Sequence, residues 1–358
     1  MPTPPILAEV TRRDVRTGQA HVESVHAGDL VVATVDGTVV LHLGAADRTI
    51  VPRSAVKPFQ AAACLELLAT HGPVTVPAAD LAVAWASHRG EAAQLAAVRR
   101  LLERARVDPS ALTCPPAVAE ATPGAAPSRL QHNCSGKHAL FALAGRALGC
   151  STDALLDPDG ELQRAVLGTV ARWVGPLEGL TVDGCGAPAV LVPLRRLAAG
   201  FAALAVDDEL AAVRAAGLAH PELVGGSGRL ESALLAAGAV AKVGAEGVYG
   251  VGFVAADGTP LGLAVKAADG APRGVAAAVA SVLEQAGIVP PGTWSPPPPL
   301  GGGRPVGEVR VTEPVRSFAT ELAGRMGAAS PARARVTDPT RSPGGGDGGA
   351  DTVRWSSR

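Results

Sequence analysis

Two stretches of the chain alternate apolar and polar residues with a strand period, and a long helical pattern separates them. Residues 22–50 include "DLVVATVDGTVVLHLG", in which two β-branched runs flank Asp36-Gly37, a hairpin signal. "GVYGVGFVAADGTPLGLAV" repeats the arrangement around Asp257-Gly258. Between them, Ala/Leu-rich helical periods predict helices over about 54–69, 91–106, 137–148, 160–174, 189–205, 208–219 and 229–240. A further helix over about 271–287 and a strand over 306–311 complete the pattern.

Strands at both ends with helices between them predict an α+β fold, an antiparallel sheet from the two chain ends packed against a helical lobe. The expected catalytic domain is 1–289, with the sheet drawn from 22–50 and 248–266 and the lobe from 54–240. "PPGTWSPPPPLGGGRP" (290–305) reads as a Pro/Gly linker, 306–313 as a last strand and 314–358 as a disordered tail.

Composition narrows the function classes. The chain has 358 residues, is 47% hydrophobic and carries a formal net charge of −1. That supports a sizeable core and gives no electrostatic footprint for nucleic acid or an anionic membrane. "MPTPPILAEVTRRD" lacks the basic-plus-apolar pattern of an export signal, and no apolar run reaches the length of a membrane span, so a cytoplasmic protein is expected. Five widely spaced cysteines do not form a disulfide pattern; free thiols or metal ligands are expected.

The lysines change the picture more. Of 32 basic Lys and Arg residues only Lys57, Lys137, Lys242 and Lys266 are lysine. A chain so biased toward arginine keeps lysine where a guanidinium cannot serve, because an amine can lose its proton and a guanidinium stays charged.

Three of the four lie in motifs with chemistry. In "PRSAVKPFQ" Ser54 and Lys57 are three apart at a helix start, so a neutral lysine can take the serine's proton, or the serine merely caps the helix. In "QHNCSGKHALFAL" Cys134 and Lys137 repeat the spacing at another helix start, where a thiol is acidified. "TVDGCGAPAVLVPL" puts Asp183 and Cys185 on a glycine-rich turn; the two cysteines either share a metal or are inert buried thiols. "AKVGAEGVYGVG" places Lys242 at a glycine-spaced strand, facing a site or guarding a sheet edge. "WASHRGE" carries Ser87 and His88 on a turn before a helix, and taken alone reads as a capping segment with Glu91.

Together, "VESVHAGDLVV", "PRSAVKPFQ", "ASHRGE", "NCSGKHA", "DGCGAP", "AHPELVGG" and "KVGAEGVYGVG" resemble the rhizobial-type asparaginases. These differ from the threonine-nucleophile asparaginases, whose "TGGTI"-like stretch is missing here. The segments run in family order from about residue 20 to 311. The resemblance implies a serine β-lactamase/glutaminase-like fold and hydrolysis of L-asparagine to L-aspartate and ammonia. It implies two Ser–Lys pairs, Ser54 with Lys57 and Ser87 with Lys242, with Ser54 the nucleophile. It also implies Zn2+ on Cys134, Lys137 and Cys185, substrate contacts from Asp183, Asn133 and His88, and a homodimer. Other readings are a glutaminase or another amidase on the same scaffold, or a penicillin-binding-like sensor without this activity. "GRLES" carries Glu231 where relatives tend to show Asp, "DPDGELQ" lacks a usual His-Pro, and the tail is an extra; none of these is expected to touch the site.

Overall fold

A computed structural model describes residues 3–72 and 74–327. The chain opens with β1 (Ile6–Arg13), β2 (Ala20–Thr34), β3 (Val39–Leu43) and the two-residue β4 (Thr49–Ile50). A 3-10 turn over Arg53–Val56 leads directly into α1 (Lys57–His71), followed by α2 (Ala78–Ala84), α3 (Ala92–Ala105), α4 (Ser135–Ala147) and α5 (Glu161–Val174). Next come β5 (Gly179–Val182) and β6 (Pro188–Pro193), then α6 (Leu194–Val206), α7 (Ala211–Ala219), α8 (Pro221–Gly225) and α9 (Leu230–Ala236). The chain returns to the sheet through β7 (Val240–Gly244), β8 (Val248–Val254) and β9 (Pro260–Ala267), and continues with α10 (Pro272–Gln285). The small hairpin β10 (Leu300–Gly301) and β11 (Arg304–Pro305) precedes β12 (Gly307–Val311) and α11 (Glu313–Arg325).

The main sheet has the order β12-β1-β2-β9-β8-β7, with β3 also paired to β2. Every pairing is antiparallel, and β12 against β1 closes the two ends of the chain onto each other. This is the expected α+β arrangement. Both hairpins form as expected, with Gly37 and Gly258 in the left-handed region at φ 85° and 89°.

Alternation along β2 divides the interior in two. Val31 and Ala33 pack with Phe201 of α6 and the lobe. Leu30 and Val32 face the layer formed by α10 and α11, with Val279 and Leu322. The glycines of β8 and β9 let α6 lie directly on the sheet: a Cβ at Gly252 or Gly262 would collide with the α6 backbone.

Several expected boundaries move for identifiable reasons. The helix expected over 189–205 begins only at Leu194. "PAVLVP" is a β-branched run between two prolines, and it pairs with β5 as β6. The helix expected over 229–240 ends at Ala236; Gly238 at φ 91° turns the chain, and Val240 starts β7. Within the expected linker, β10 and β11 pair, and the Trp294 indole donates to Gly228 O at 3.2 Å. The tail expected from 314 begins with α11, whose Val315, Phe318 and Leu322 are buried; the rest of that expectation, beyond 327, falls outside the described residues. Among the described residues no helix is long and apolar enough to cross a membrane.

Candidate active site

Where β7, at the edge of the sheet, meets the helical lobe, it lies against the 3-10 turn that carries Ser54. A Cβ at Gly244 would collide with the carbonyl oxygen of Pro52, so the close approach requires glycine. Lys242, two residues earlier on β7, shares the face of Gly244 and points to the same seam. Ser54 itself is 8% exposed and follows Arg53, which holds φ 52° without being glycine, a strained conformation. Val56 is the N-cap of α1, and no side chain caps that end. Ser54 is therefore not a capping serine, and its hydroxyl has no hydrogen-bond partner among the described residues.

Lys57 is 1% exposed, and its Nζ donates to Ala86 O at 2.5 Å and to Ser87 Oγ at 3.2 Å. Ser87 is not a cap either: Glu91 caps α3 in a reciprocal box with Gln94. Of the pairs implied by resemblance, Ser87 stands with Lys57 and not with Lys242. Lys242 Nζ donates instead to Glu231 Oε1 at 2.7 Å and Val243 O at 3.0 Å, a fully buried ion pair. Glu231 was expected to stand clear of the site, and this contact corrects that expectation.

His88 and Asn133 tie the loops before α3 and α4 together. The His88 N–H donates to Asn133 O at 3.1 Å, while the Asn133 side chain is exposed. Nδ1 of His88 accepts from Gly90 N–H at 3.2 Å, so Nε2 carries the hydrogen and donates to Ser135 Oγ at 2.7 Å. Ser135 in turn donates to Leu130 O at 2.8 Å. Burial and then the Lys57 charge lower the His88 pKa to about 3, so the ring is neutral. With both ring nitrogens held inside the protein, His88 braces the loop that presents Ser87.

The thiols form the other wall. Cys134 is the N-cap of α4, and Lys137 Nζ, one turn on, donates to Cys185 Sγ at 3.0 Å while lying over the Phe141 ring. A hydrogen bond from Cys185, followed by the charges of Lys57 and Lys137, holds the Cys134 thiol well below its ordinary pKa against the opposing effect of burial. Cys185 shares that proton and moves the other way, raised by the bond to Cys134 and then by burial. Burial favours the free amine of Lys137, but the two sulfurs outweigh it and keep the ammonium. Asp183 Oδ1 accepts from Arg53 Nε at 2.6 Å and from Gly184 N–H at 2.8 Å, which ties the Cys185 turn to the residue before Ser54. Cys64 and Cys114 lie apart as buried protonated thiols, the latter pushed up to about 12 by burial.

Ser87 and Glu231 face a cavity of about 200 Å³ whose walls include Arg89, Val243, Tyr249 and Trp294. Arg89 lies within the "ASHRGE" stretch, which does not single it out, and Trp294 sits in a proline-rich run with no periodic pattern to place it.

Buried amines, hydroxyls and thiols drawn to one seam of an α+β fold are the equipment of a hydrolase. The sequence model of the L-asparaginase II family matches residues 9–311, and the chain belongs to that family of amidohydrolases. A search of curated proteins finds no match to the chain.

Proposed function

We propose that the protein hydrolyses the side-chain amide of L-asparagine to L-aspartate and ammonia on a serine β-lactamase-like scaffold. Family membership supports the reaction. The observation that carries the mechanism is the buried Lys57 amine, hydrogen-bonded to the hydroxyl of Ser87 and three positions after Ser54, whose own hydroxyl has no partner among the described residues. Ala86 O and Ser87 Oγ take two of its hydrogens, and the third position is the one that distinguishes the ammonium from a base.

Ser54 Oγ attacks the amide carbon and its proton passes to Lys57. Backbone N–H groups, that of Ser54 among them, hold the oxyanion. Collapse of the tetrahedral species returns the proton to the leaving nitrogen and releases ammonia. Water then attacks the acyl-serine ester, the serine recovers its proton and aspartate leaves. Ser87, engaged with Lys57, relays protons. A second reading exchanges the serines, and the Lys57–Ser87 hydrogen bond favours it.

Zn2+ fits the thiol wall by donor chemistry: Cys134, Cys185 and the amine of Lys137 converge, a sulfur and nitrogen set that zinc accepts. Among the described residues no group of three or more His, Cys, Asp or Glu side chains could hold a metal; Lys137, an ammonium beside the two sulfurs, would have to give up a proton to serve as the third ligand. Bound there, the ion would link the Cys134 and Cys185 loops and attract the charged amino-acid end of the substrate, for which Asp183 and Asn133 are the proposed contacts. Ammonia release from L-asparagine, compared with L-glutamine, tests the reading. Turnover of glutamine alone would make the protein a glutaminase, and turnover of neither would overturn amide hydrolysis at this site.

A further inference from the structure

Glu231 and Lys242 are clamped to the same stretch of β7. Glu231 Oε1 accepts both from Lys242 Nζ, at 2.7 Å, and from the N–H of Val243, at 3.0 Å. Nζ donates in turn to the Val243 carbonyl at 3.0 Å. Lys242 is 0% and Glu231 2% exposed, so both charges are buried together. Glu231 stands in the first turn of α9, an end that favours a carboxylate. Ser232 pins that turn by donating to Gly226 O at 2.7 Å and Pro221 O at 3.1 Å.

The charged and titratable groups around the pair come from four directions. Lys57 on α1 and Cys134 before α4 act on Lys242; Tyr249 on β8 and Arg229 before α9 lie on the Glu231 side. Tyr249 stays a neutral phenol, its pKa pushed up by burial and then by Glu231. Burial leaves the Lys242 pKa below its ordinary value, and Glu231 is the largest influence that holds it up.

We propose that Glu231 is a positioning residue that fixes Lys242 as an ammonium at the seam, so that Lys242 serves the reaction as a stationary cation and Lys57 alone as the base. The catalytic part of this assignment rests on the amide-hydrolase reading above. It departs from a scheme in which Lys242 and Ser87 form a second base–hydroxyl pair.

The scarcity of lysine makes the test direct. Lysine labelled with 13C at Cε gives four side-chain signals in the whole chain, and Lys242→Met assigns one of them. The Lys242 signal is followed against pH in the parent protein, Glu231→Gln and Glu231→Asp, alongside the pH profile of kcat. In Glu231→Gln the Lys242 titration should move down by about 1–3 pH units, as expected when an adjacent opposite charge is lost. The basic limb of the kcat profile should move with it, and Glu231→Asp should recover part of both. An unmoved Lys242 titration in Glu231→Gln overturns the proposal, even if that variant melts earlier, because Glu231 would then be only a packing residue. If Glu231→Gln does not fold, the same comparison made with Glu231→Asp decides. A parent protein whose Lys242 stays charged but which releases no ammonia from asparagine refutes the hydrolase reading and leaves the Glu231–Lys242 assignment standing.

Discussion

Lys57 donates to the hydroxyl of Ser87 at 3.2 Å, across 30 positions of sequence, while Ser54, three positions away, keeps its hydroxyl free. The nearer serine in sequence is thus the unengaged one. The Ser54 hydroxyl is open to a substrate, and the Ser87 hydroxyl is the one held on the Lys57 amine.

This gives the first prediction. Ser54→Ala should lower kcat for asparagine by about 10³-fold or more, as loss of a nucleophile does. Ser87→Ala should cost about 10–100-fold, the scale of a proton-transfer aid. Lys57→Met should match Ser54→Ala. Single-turnover ammonia release measures all three, and near-normal turnover by Ser54→Ala with loss in Ser87→Ala would exchange the two roles.

The lysine pattern was legible because composition is a selective record. Lys57, Lys137 and Lys242 are buried, at 1%, 3% and 0% exposure, and the remaining Lys266 is only partly so. The hairpins were legible too, since Asp-Gly turns are local chemistry. Partners brought together from distant segments were not. Glu231 reaches Lys242 only because α9 folds back along β7, and Lys57 meets Ser87 through the way α1 packs beside α2. The "PAVLVP" strand read as helix for a related reason: a short apolar run suits either period, and pairing with β5 decided the outcome. In α11, what orders "VRSFATEL" is contact with α10 and β3, which no local signal announces.

A second prediction concerns acid stability. His88 has a folded pKa of about 3 against an ordinary value near 6.5, so the unfolded chain binds more protons between these limits. Stability from this residue is fully present above about pH 6.5 and is lost as the pH falls toward 3, at roughly 1 kcal/mol for each pH unit. Urea unfolding midpoints between pH 7 and 4 should fall more steeply in the parent protein than in His88→Gln, whose amide cannot titrate. Parallel slopes would mean that His88 is already protonated in the folded state.

A third prediction separates the thiols. Zinc content of the purified protein should approach one ion per chain and drop to background in Cys134→Ser and Cys185→Ser. Cys64→Ser should leave it unchanged, since that thiol is buried elsewhere and protonated. Chelation should also make Cys134, the acidified member of the pair, the fastest-reacting thiol toward an alkylating agent. Equal metal content in the parent, Cys134→Ser and Cys185→Ser would show that Cys134 and Cys185 are not its ligands.

The fourth prediction rests on two glycines that do different work. At Gly262 a Cβ would strike the backbone of α6 at Ala198, in the middle of the sheet–helix contact. Two packed backbones cannot both yield, so Gly262→Ala should destabilise the whole protein by about 3 kcal/mol or more. At Gly244 the obstacle is the Pro52 carbonyl on the turn that precedes Ser54, at the sheet edge, where β7 can move outward. That movement widens the seam between Lys242 and Ser54 while leaving the core intact. Gly244→Ala should therefore lose little melting temperature and most of its kcat, and Gly262→Ala should show the opposite balance. If both variants lose stability and activity in proportion, the close approach of β7 to the Ser54 turn serves packing and not catalysis.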